Sequence, residues 1–176
     1  MGMAWLDARG PKTHSDPTMS PRRNKARLVS ARPLSPAVRS LRFAVEGDPV
    51  CFQAGQWVDV HVNTAKGPDK RAYSIASGPS RAELELAVTL VDAGAVSPVL
   101  HALREGEEVE LDGPHGFFTR EGDAAAAPNL FVGTGTGLAP LRSMLDEVLG
   151  AEHPPITLLF GCRSEADILW RDELEA

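Results

Sequence analysis

The hydrophobic pattern of this chain changes its period near residue 125, and no other feature constrains the fold as strongly. Before that point, apolar and polar residues alternate in short runs, for example at residues 41–45 and 84–90. A period of two predicts strands with one face in a core and the other in water. About six such runs between residues 25 and 111 predict a small antiparallel barrel. One helix, at about residues 96–103, interrupts the series.

After residue 125 the pattern becomes strand, helix, strand. Two continuous apolar runs, at residues 129–132 and 156–160, flank a helical pattern at residues 138–149. This order predicts a parallel sheet covered on both faces. A further helix is expected to start at Asp167.

The predicted organisation has four parts. They are a disordered tail at residues 1–24, a barrel domain at 25–121, an alanine-rich linker at 122–127 and an α/β domain at 128–176. A mononucleotide-binding unit ordinarily has three parallel strands, and only two are predicted here. The α/β domain is therefore expected to be incomplete, as a fragment, a truncated gene product, or a half that a partner completes.

The composition excludes several classes of protein. The net charge of −6 offers no basic face for nucleic acid. No apolar run approaches the ~20 residues that span a bilayer. The two cysteines and five histidines show no metal-binding spacing, so no metal site is predicted. We expect a cytoplasmic protein with reduced thiols, whose true start could also be Met19.

One strand of the predicted barrel carries Arg71-Ala72-Tyr73-Ser74. Side chains two residues apart on a strand project to the same side, so Arg71 and Tyr73 are expected to face one ligand. A guanidinium matches a phosphate, and a planar aromatic ring matches another planar ring. The alternative is an ordinary exposed strand face.

A glycine-rich turn, residues 133–137, lies between the first apolar strand and its helix. Backbone amides at such a turn, together with the positive end of the helix, form a phosphate site. The alternative is a flexible linker, against which the regular helical pattern of residues 138–149 argues. A phosphate site after a barrel that carries Arg-x-Tyr-Ser suggests a flavin and a nicotinamide nucleotide held face to face.

These segments resemble the ferredoxin–NADP reductase family of flavin oxidoreductases from about Lys25 to the end of the chain. The matching segments are residues 52–58, 71–77, 94–97, 112–116, 133–140 and 161–163. The last of these leads to two further matches, Asp167 and residues 170–174. The resemblance implies a six-stranded antiparallel Greek-key barrel that binds FAD. It also implies that a truncated Rossmann-like parallel β-α-β domain follows and binds NADP or NAD.

The resemblance also implies roles for residues of the barrel. Tyr73 would stack on the isoalloxazine ring, Ser74 would hydrogen-bond near flavin N5, and Arg71 would bind the FAD pyrophosphate. Tyr73 and Ser74 are therefore the candidate catalytic residues. The remaining candidates for FAD are Gly94, Ala95, Val96 and Ser97 at the diphosphate, and Val88 and Thr89 beneath the adenosine end. Ser97 could at the same time be a helix cap or a first-turn residue, which is compatible with diphosphate binding. For residues 88 and 89 the alternative is that they belong to the barrel core.

The candidate residues for the nicotinamide nucleotide are Gly133, Thr134, Gly135, Thr136, Gly137 and Arg163. Arg163 follows the second apolar strand, where a protein specific for NAD would place an acid. An arginine there suits the 2′-phosphate of NADP, although it could equally be a surface residue.

The function implied by the resemblance is an FAD-dependent oxidoreductase. It would transfer electrons from NAD(P)H through FAD to an unknown acceptor protein or small molecule. One alternative is a flavin-binding electron-transfer module that does not oxidise NAD(P)H. The other is a non-functional fragment.

Overall fold

The computed structural model describes residues 23–47, 50–120, 122–149 and 152–175. The predicted disordered tail lies outside the described residues except for its last two, and Asn24 already belongs to the first strand.

Six antiparallel strands form the first part of the molecule. They are β1 (Asn24–Ser35), β2 (Val38–Val45), β3 (Trp57–Thr64), β4 (Gly67–Ser74), β5 (Leu84–Thr89) and β6 (Glu108–His115). Their order is β4-β3-β6-β1-β2-β5, and Ile75, directly after β4, forms one bridge with Leu86 of β5. Strands β3, β4 and β5 thus follow one another around the sheet and β6 returns beside β3, which is a Greek key. The predicted six-stranded antiparallel fold is confirmed, as a barrel that is not fully closed.

The barrel core is made by the inward residues of the alternating strands, as the period of two predicts. Its largest fully buried side chains include Phe43, Leu41 and Leu86. The predicted helix is α1 (Ser97–Ala102), and Leu100 packs into the same core.

The second part contains a two-stranded parallel sheet. Its elements are α2 (Asp123–Ala126), β7 (Asn129–Thr134), α3 (Leu138–Val148), β8 (Ile156–Gly161) and α4 (Arg171–Leu174). β7 and β8 pair in parallel from Asn129 opposite Ile156 to Thr134 opposite Gly161. The predicted parallel β-α-β arrangement is confirmed. The stretch expected to be a linker contains the single helical turn α2.

Only one face of this parallel sheet is covered by described residues. Phe131 and Leu158 pack in a cluster with residues of α3. On the opposite face Leu130, Val132 and Leu159 are 61%, 66% and 54% exposed. The expectation of a sheet covered on both faces is wrong for the described residues, because α3 is the helix that packs on this sheet and it covers one side.

The C-terminal helix starts later than the sequence predicts. Asp167 ends a 3₁₀ turn, and α4 begins only at Arg171. Between them Leu169 and Trp170 are buried, and Trp170 has a φ of +50°. The helix cannot begin earlier because the chain must turn here to insert both apolar side chains into the cluster around α3. Among the described residues, no helix has both the length and the apolar character needed to cross a membrane.

Candidate nucleotide-binding site

A cleft of about 540 Å³ lies where the barrel meets the glycine-rich turn. Strands β4 and β5, the loop before α1 and the start of α3 form its walls. The predicted site residues in its lining are Arg71, Tyr73, Ser74, Thr89, Gly94, Ala95, Val96, Ser97, Thr136 and Gly137. The fold therefore brings together three stretches that are far apart in sequence, residues 71–74, 87–97 and 136–139.

Tyr73 and Arg71 both face this cleft from β4. Tyr73 lies opposite Val58 of β3 and is half-buried. Burial raises the pKa of Tyr73, and the charge of Arg71 lowers it in part, so the phenol stays protonated at neutral pH. The Tyr73 ring is therefore a neutral aromatic wall with a cation beside it.

The Arg71 guanidinium is largely exposed and only lightly engaged by protein. Its Nη1 donates to the Lys70 carbonyl at 3.1 Å and lies 3.8 Å from an Asp69 carboxylate oxygen. A guanidinium has five N–H donors, so within the described part of the chain most of them have no protein acceptor. This side chain can bind an anionic ligand.

The loop before α1 supplies further donors. The Val91 amide donates to Ser97 Oγ at 3.1 Å, and the Gly94 amide donates to the Val91 carbonyl at 2.8 Å. Ser97 is the first helical residue and its side chain does not cap α1. In the described ranges, no acceptor is found for the backbone amides of Ala95, Val96 and Ser97. These amides are available to a ligand.

The glycine-rich turn is ordered and leads directly into α3. Gly135–Gly137 form one 3₁₀ turn, and Gly135 has a φ of +51°, a conformation that favours glycine. A Cβ at Gly133 would lie 3.0 Å from Leu141 Cδ1, so glycine permits the close approach of β7 and α3. The flexible-linker alternative is therefore wrong.

Five of the predicted site residues lie outside the cleft lining. They are Val88, Gly133, Thr134, Gly135 and Arg163. Val88 is fully buried in the barrel core, as the alternative for this residue expected. Arg163 is exposed just past the carboxyl end of β8, and Thr134 ends the neighbouring strand. Ligands of parallel α/β sheets bind at this edge.

Four other residues line the cleft and are not among the predicted site residues: Ala72, Ala87, Val91 and Ala139. Three of these are alanines, whose small side chains leave the cleft open. Alanine at a strand or helix position carries no functional pattern, so only the tertiary arrangement reveals them.

The residues present fit a flavin nucleotide. A planar ring could pack on Tyr73, and a diphosphate could bind Arg71 and the free amides before α1. The cleft is lined by apolar and polar groups together, as expected for a ligand with both kinds of surface.

Polar contacts join α3 to the barrel beside this cleft. Glu85 is 5% exposed, and its carboxylate accepts hydrogen bonds from Ser40 Oγ at 2.5 Å and Trp170 Nε1 at 2.9 Å. Arg142 Nη1 lies 3.2 Å from the same carboxylate. Burial raises the pKa of Glu85, but the charge of Arg142 and these hydrogen bonds outweigh it and hold the pKa below its usual value. A hydrogen bond from Arg81 likewise lowers the pKa of Asp146.

We expect the folded state to lose stability in acid because of these carboxylates. Groups whose pKa is lower in the folded protein stabilise it above their unfolded pKa, and that stabilisation is lost as the pH falls below about 4. The midpoint of urea unfolding, followed by circular dichroism, should change little between pH 7 and 5.5 and fall at pH 3.5. In Glu85→Gln the fall of the urea midpoint between pH 5.5 and 3.5 should be smaller than in the wild type. An equal acid effect in both proteins would contradict this assignment.

A separate side-chain cluster lies on the barrel at Asp59, Asp112 and His115. Their ligand atoms lie within 4.8 Å of one another. The Lys70 ammonium group is 2.5 Å from an Asp59 carboxylate oxygen and already supplies a positive charge there. The prediction that the chain has no metal site stays a prediction.

Comparison with known families agrees with this architecture. The sequence pattern described as "Oxidoreductase FAD-binding domain" matches residues 25–119, and that described as "Oxidoreductase NAD-binding domain" matches residues 131–176. These two matches define the class as oxidoreductases with an FAD-binding and an NAD-binding domain. The chain belongs to the oxidoreductase FAD-binding domain family, with an oxidoreductase NAD-binding domain adjoining, as in ferredoxin–NADP reductases.

Individual relatives are reductases. The chain is 51% identical over 157 residues to ferredoxin–NADP reductase B of Sorangium cellulosum, covering 86% of this chain and 63% of the relative. It is 39% identical over 139 residues to the reductase component of phenol 2-monooxygenase of a Pseudomonas species. That match covers 77% of this chain and 38% of the relative. Among solved structures, the ferredoxin–NADP⁺ reductase of Plasmodium falciparum with 2'P-AMP superposes with a TM-score of 0.77 at 25% sequence identity. The match covers 87% of this chain and 68% of that one. The chain thus spans less than two thirds of the length of the two curated relatives.

Proposed function

We propose that this chain is an FAD-dependent oxidoreductase that takes electrons from NAD(P)H and passes them to an acceptor. The observation that carries the proposal is the shared cleft. Tyr73 and Ser74 of β4 line the same cleft as Thr136 and Gly137 of the glycine-rich turn. Two nucleotides bound by these two segments would meet in the same cleft.

Several residues of the cleft have a role that their position supports. Tyr73 packs against the flavin ring, and the Ser74 hydroxyl donates a hydrogen bond to it. Arg71 and the amides of residues 95–97 hold the diphosphate. Bound FAD supplies a two-electron acceptor for the hydride of a reduced nicotinamide and hands those electrons on. The chain contributes alignment of the two rings and exclusion of water.

The nicotinamide nucleotide is proposed to bind at the carboxyl edge of β7 and β8. Thr134 and the glycine-rich turn end β7, and Arg163 follows β8. The exposed guanidinium of Arg163 suits a 2′-phosphate, which favours NADP over NAD. Residues 25–121 and 128–176 would then be the FAD-binding and NAD(P)-binding domains, joined by residues 122–127.

The electron acceptor is proposed to be a protein. The relatives are named as a ferredoxin–NADP reductase and as a reductase component of a monooxygenase. A ferredoxin or an oxygenase component is the corresponding acceptor for this chain, and a small molecule is the alternative. The cytoplasmic location predicted from the sequence is part of this proposal.

A second candidate is a flavin-binding electron-transfer module without NAD(P)H oxidation. The exposed face of the parallel sheet favours it. Leu130 and Val132 are exposed there, so the nicotinamide half is less completely packed than the barrel.

The two candidates differ in a simple experiment. The purified chain is loaded with FAD, freed of excess cofactor and mixed anaerobically with NADPH or NADH. A yellow protein that NADPH bleaches faster than NADH is the expected result. A yellow protein that neither nucleotide bleaches supports the module, and a colourless protein contradicts both candidates.

A further inference from the structure

One face of α3 hydrogen-bonds three consecutive residues of the loop that follows β4. The bonds run from Arg142 Nη1 to the Ala76 carbonyl at 2.7 Å, from Ser143 Oγ to the Ser77 carbonyl at 2.7 Å, and from the Gly78 amide to Asp146 Oδ2 at 2.8 Å. We call this set of three bonds the α3 clamp. None of its residues belongs to the cleft lining.

The α3 clamp joins the loop after β4 to the helix that follows the glycine-rich turn. The clamped loop begins two residues after Ser74. Helix α3 begins directly after Gly137. A helix rises 1.5 Å per residue, so the clamped positions of α3 lie within roughly 14 Å of the glycine-rich turn. A displacement at the clamp would therefore be transmitted to both nucleotide sites.

Burial makes the centre of the clamp rigid. Ser143 is fully buried and Ser77 is 4% exposed. The Glu85 amide donates to Ser77 Oγ at 3.0 Å, which ties the same loop to β5. Buried polar groups that lose their partner cost more free energy than exposed ones, so this loop has one favoured position.

Asp146 holds the far end of the clamp. Arg81 binds its carboxylate in a bidentate pair, with distances of 2.9 and 2.5 Å. The Arg81 side chain is 63% exposed, so this pair adds little stability, but it orients the carboxylate toward the Gly78 amide. A Cβ at Gly78 would lie 2.8 Å from Asp146 Oδ2, so glycine permits this approach without a shift of the Asp146 side chain.

We propose that Asp146 is a positioning residue that sets the separation of the two nucleotide-binding segments. By holding Gly78, it places the strand that carries Tyr73 and Ser74 relative to the glycine-rich turn. The effect of Asp146 on the position of β4 relative to the glycine-rich turn does not depend on any bound nucleotide. Its effect on electron transfer rests on the function proposed above.

The chain provides its own probes of placement. It has two cysteines, both exposed: Cys51 lies on the barrel side, before β3, and Cys162 follows β8. Spin labels on both report the distance between the two halves by double electron–electron resonance. Asp146→Ala should broaden this distance distribution about twofold relative to the unsubstituted chain.

Two further variants make the test specific. Glu147→Ala removes an exposed carboxylate at the next position of α3, which has no ion-pair or hydrogen-bond partner among the described residues, and should leave the distribution unchanged. Gly78→Ala places a methyl group against the Asp146 carboxylate from the side of the loop. It should broaden the distance distribution as Asp146→Ala does. An unchanged distribution in Asp146→Ala and Gly78→Ala overturns the proposal, and so does equal broadening in Glu147→Ala. Circular dichroism identifies a variant that does not fold. If either Asp146→Ala or Gly78→Ala fails to fold, the distance distribution of the remaining one decides on the proposal.

A kinetic measurement separates positioning from binding. With FAD bound, Asp146→Ala should lower the rate of flavin reduction at saturating NADPH by about tenfold, because small misplacements of reacting groups slow a reaction strongly. The dissociation constant for FAD should stay within about twofold of the wild-type value. A matching loss of FAD affinity would overturn the proposal. If the wild-type flavin is not reduced at all, the proposed function fails, and the distance measurement still decides on the clamp.

Discussion

Replacing Tyr73 with alanine is expected to weaken FAD binding by roughly 30-fold, which corresponds to about 2 kcal/mol for the loss of one stacked aromatic ring. The reason is the position of this side chain. Tyr73 is the chain's only tyrosine, it is half-buried, and it forms one wall of the cleft beside the charge of Arg71. Titration of the apoprotein with FAD, followed by quenching of flavin fluorescence, measures the dissociation constant.

Tyr73→Phe is the matched control for this prediction. It keeps the ring and removes the hydroxyl, so its FAD affinity should stay within about threefold of the wild-type value. Arg71→Ala should also weaken binding, and high salt should reduce the difference between Arg71→Ala and the wild type. If Tyr73→Ala binds FAD as tightly as the wild type, the cleft is not the flavin site.

Trp170→Ala is expected to lower the free energy of unfolding by about 3–5 kcal/mol, the range for removing a large buried aromatic side chain. Trp170 is 3% exposed and packs in the cluster that joins α3 to the barrel. Its Nε1 donates to Glu85, and the Arg142 guanidinium lies 4.8 Å from its ring centroid. The substitution therefore removes apolar contacts and a hydrogen bond to a buried carboxylate together. Urea unfolding followed by far-ultraviolet circular dichroism measures the loss.

Trp170→Phe separates the two contributions. The smaller ring keeps most of the apolar contact and loses the N–H donor, so a loss of about 1–2 kcal/mol is expected. Glu85 would keep its contacts with Ser40 and Arg142. A loss below 1 kcal/mol for Trp170→Ala would show that the C-terminal segment does not stabilise the rest of the chain.

Part of the candidate site was predictable because its signals are local. The alternation of β4 put Arg71 and Tyr73 on one side, and both line the cleft. The glycine-rich turn was recognisable from its place between an apolar strand and a helix. Arg142 and Asp146 gave no such signal, because charged residues on an amphipathic helix ordinarily face water. Only the packing of α3 on the loop after β4 shows what they bind.

The sequence by itself determined the kinds of element and their order, since hydrophobic period and turn residues act within a few residues of the chain. Six strands, a helix and a parallel β-α-β unit followed from those patterns. The tertiary structure alone decided that Thr136 lines the same cleft as Tyr73 and that Trp170, just before the last helix, reaches Glu85. Such contacts join residues more than sixty positions apart. They depend on how faces pack, which no local pattern records.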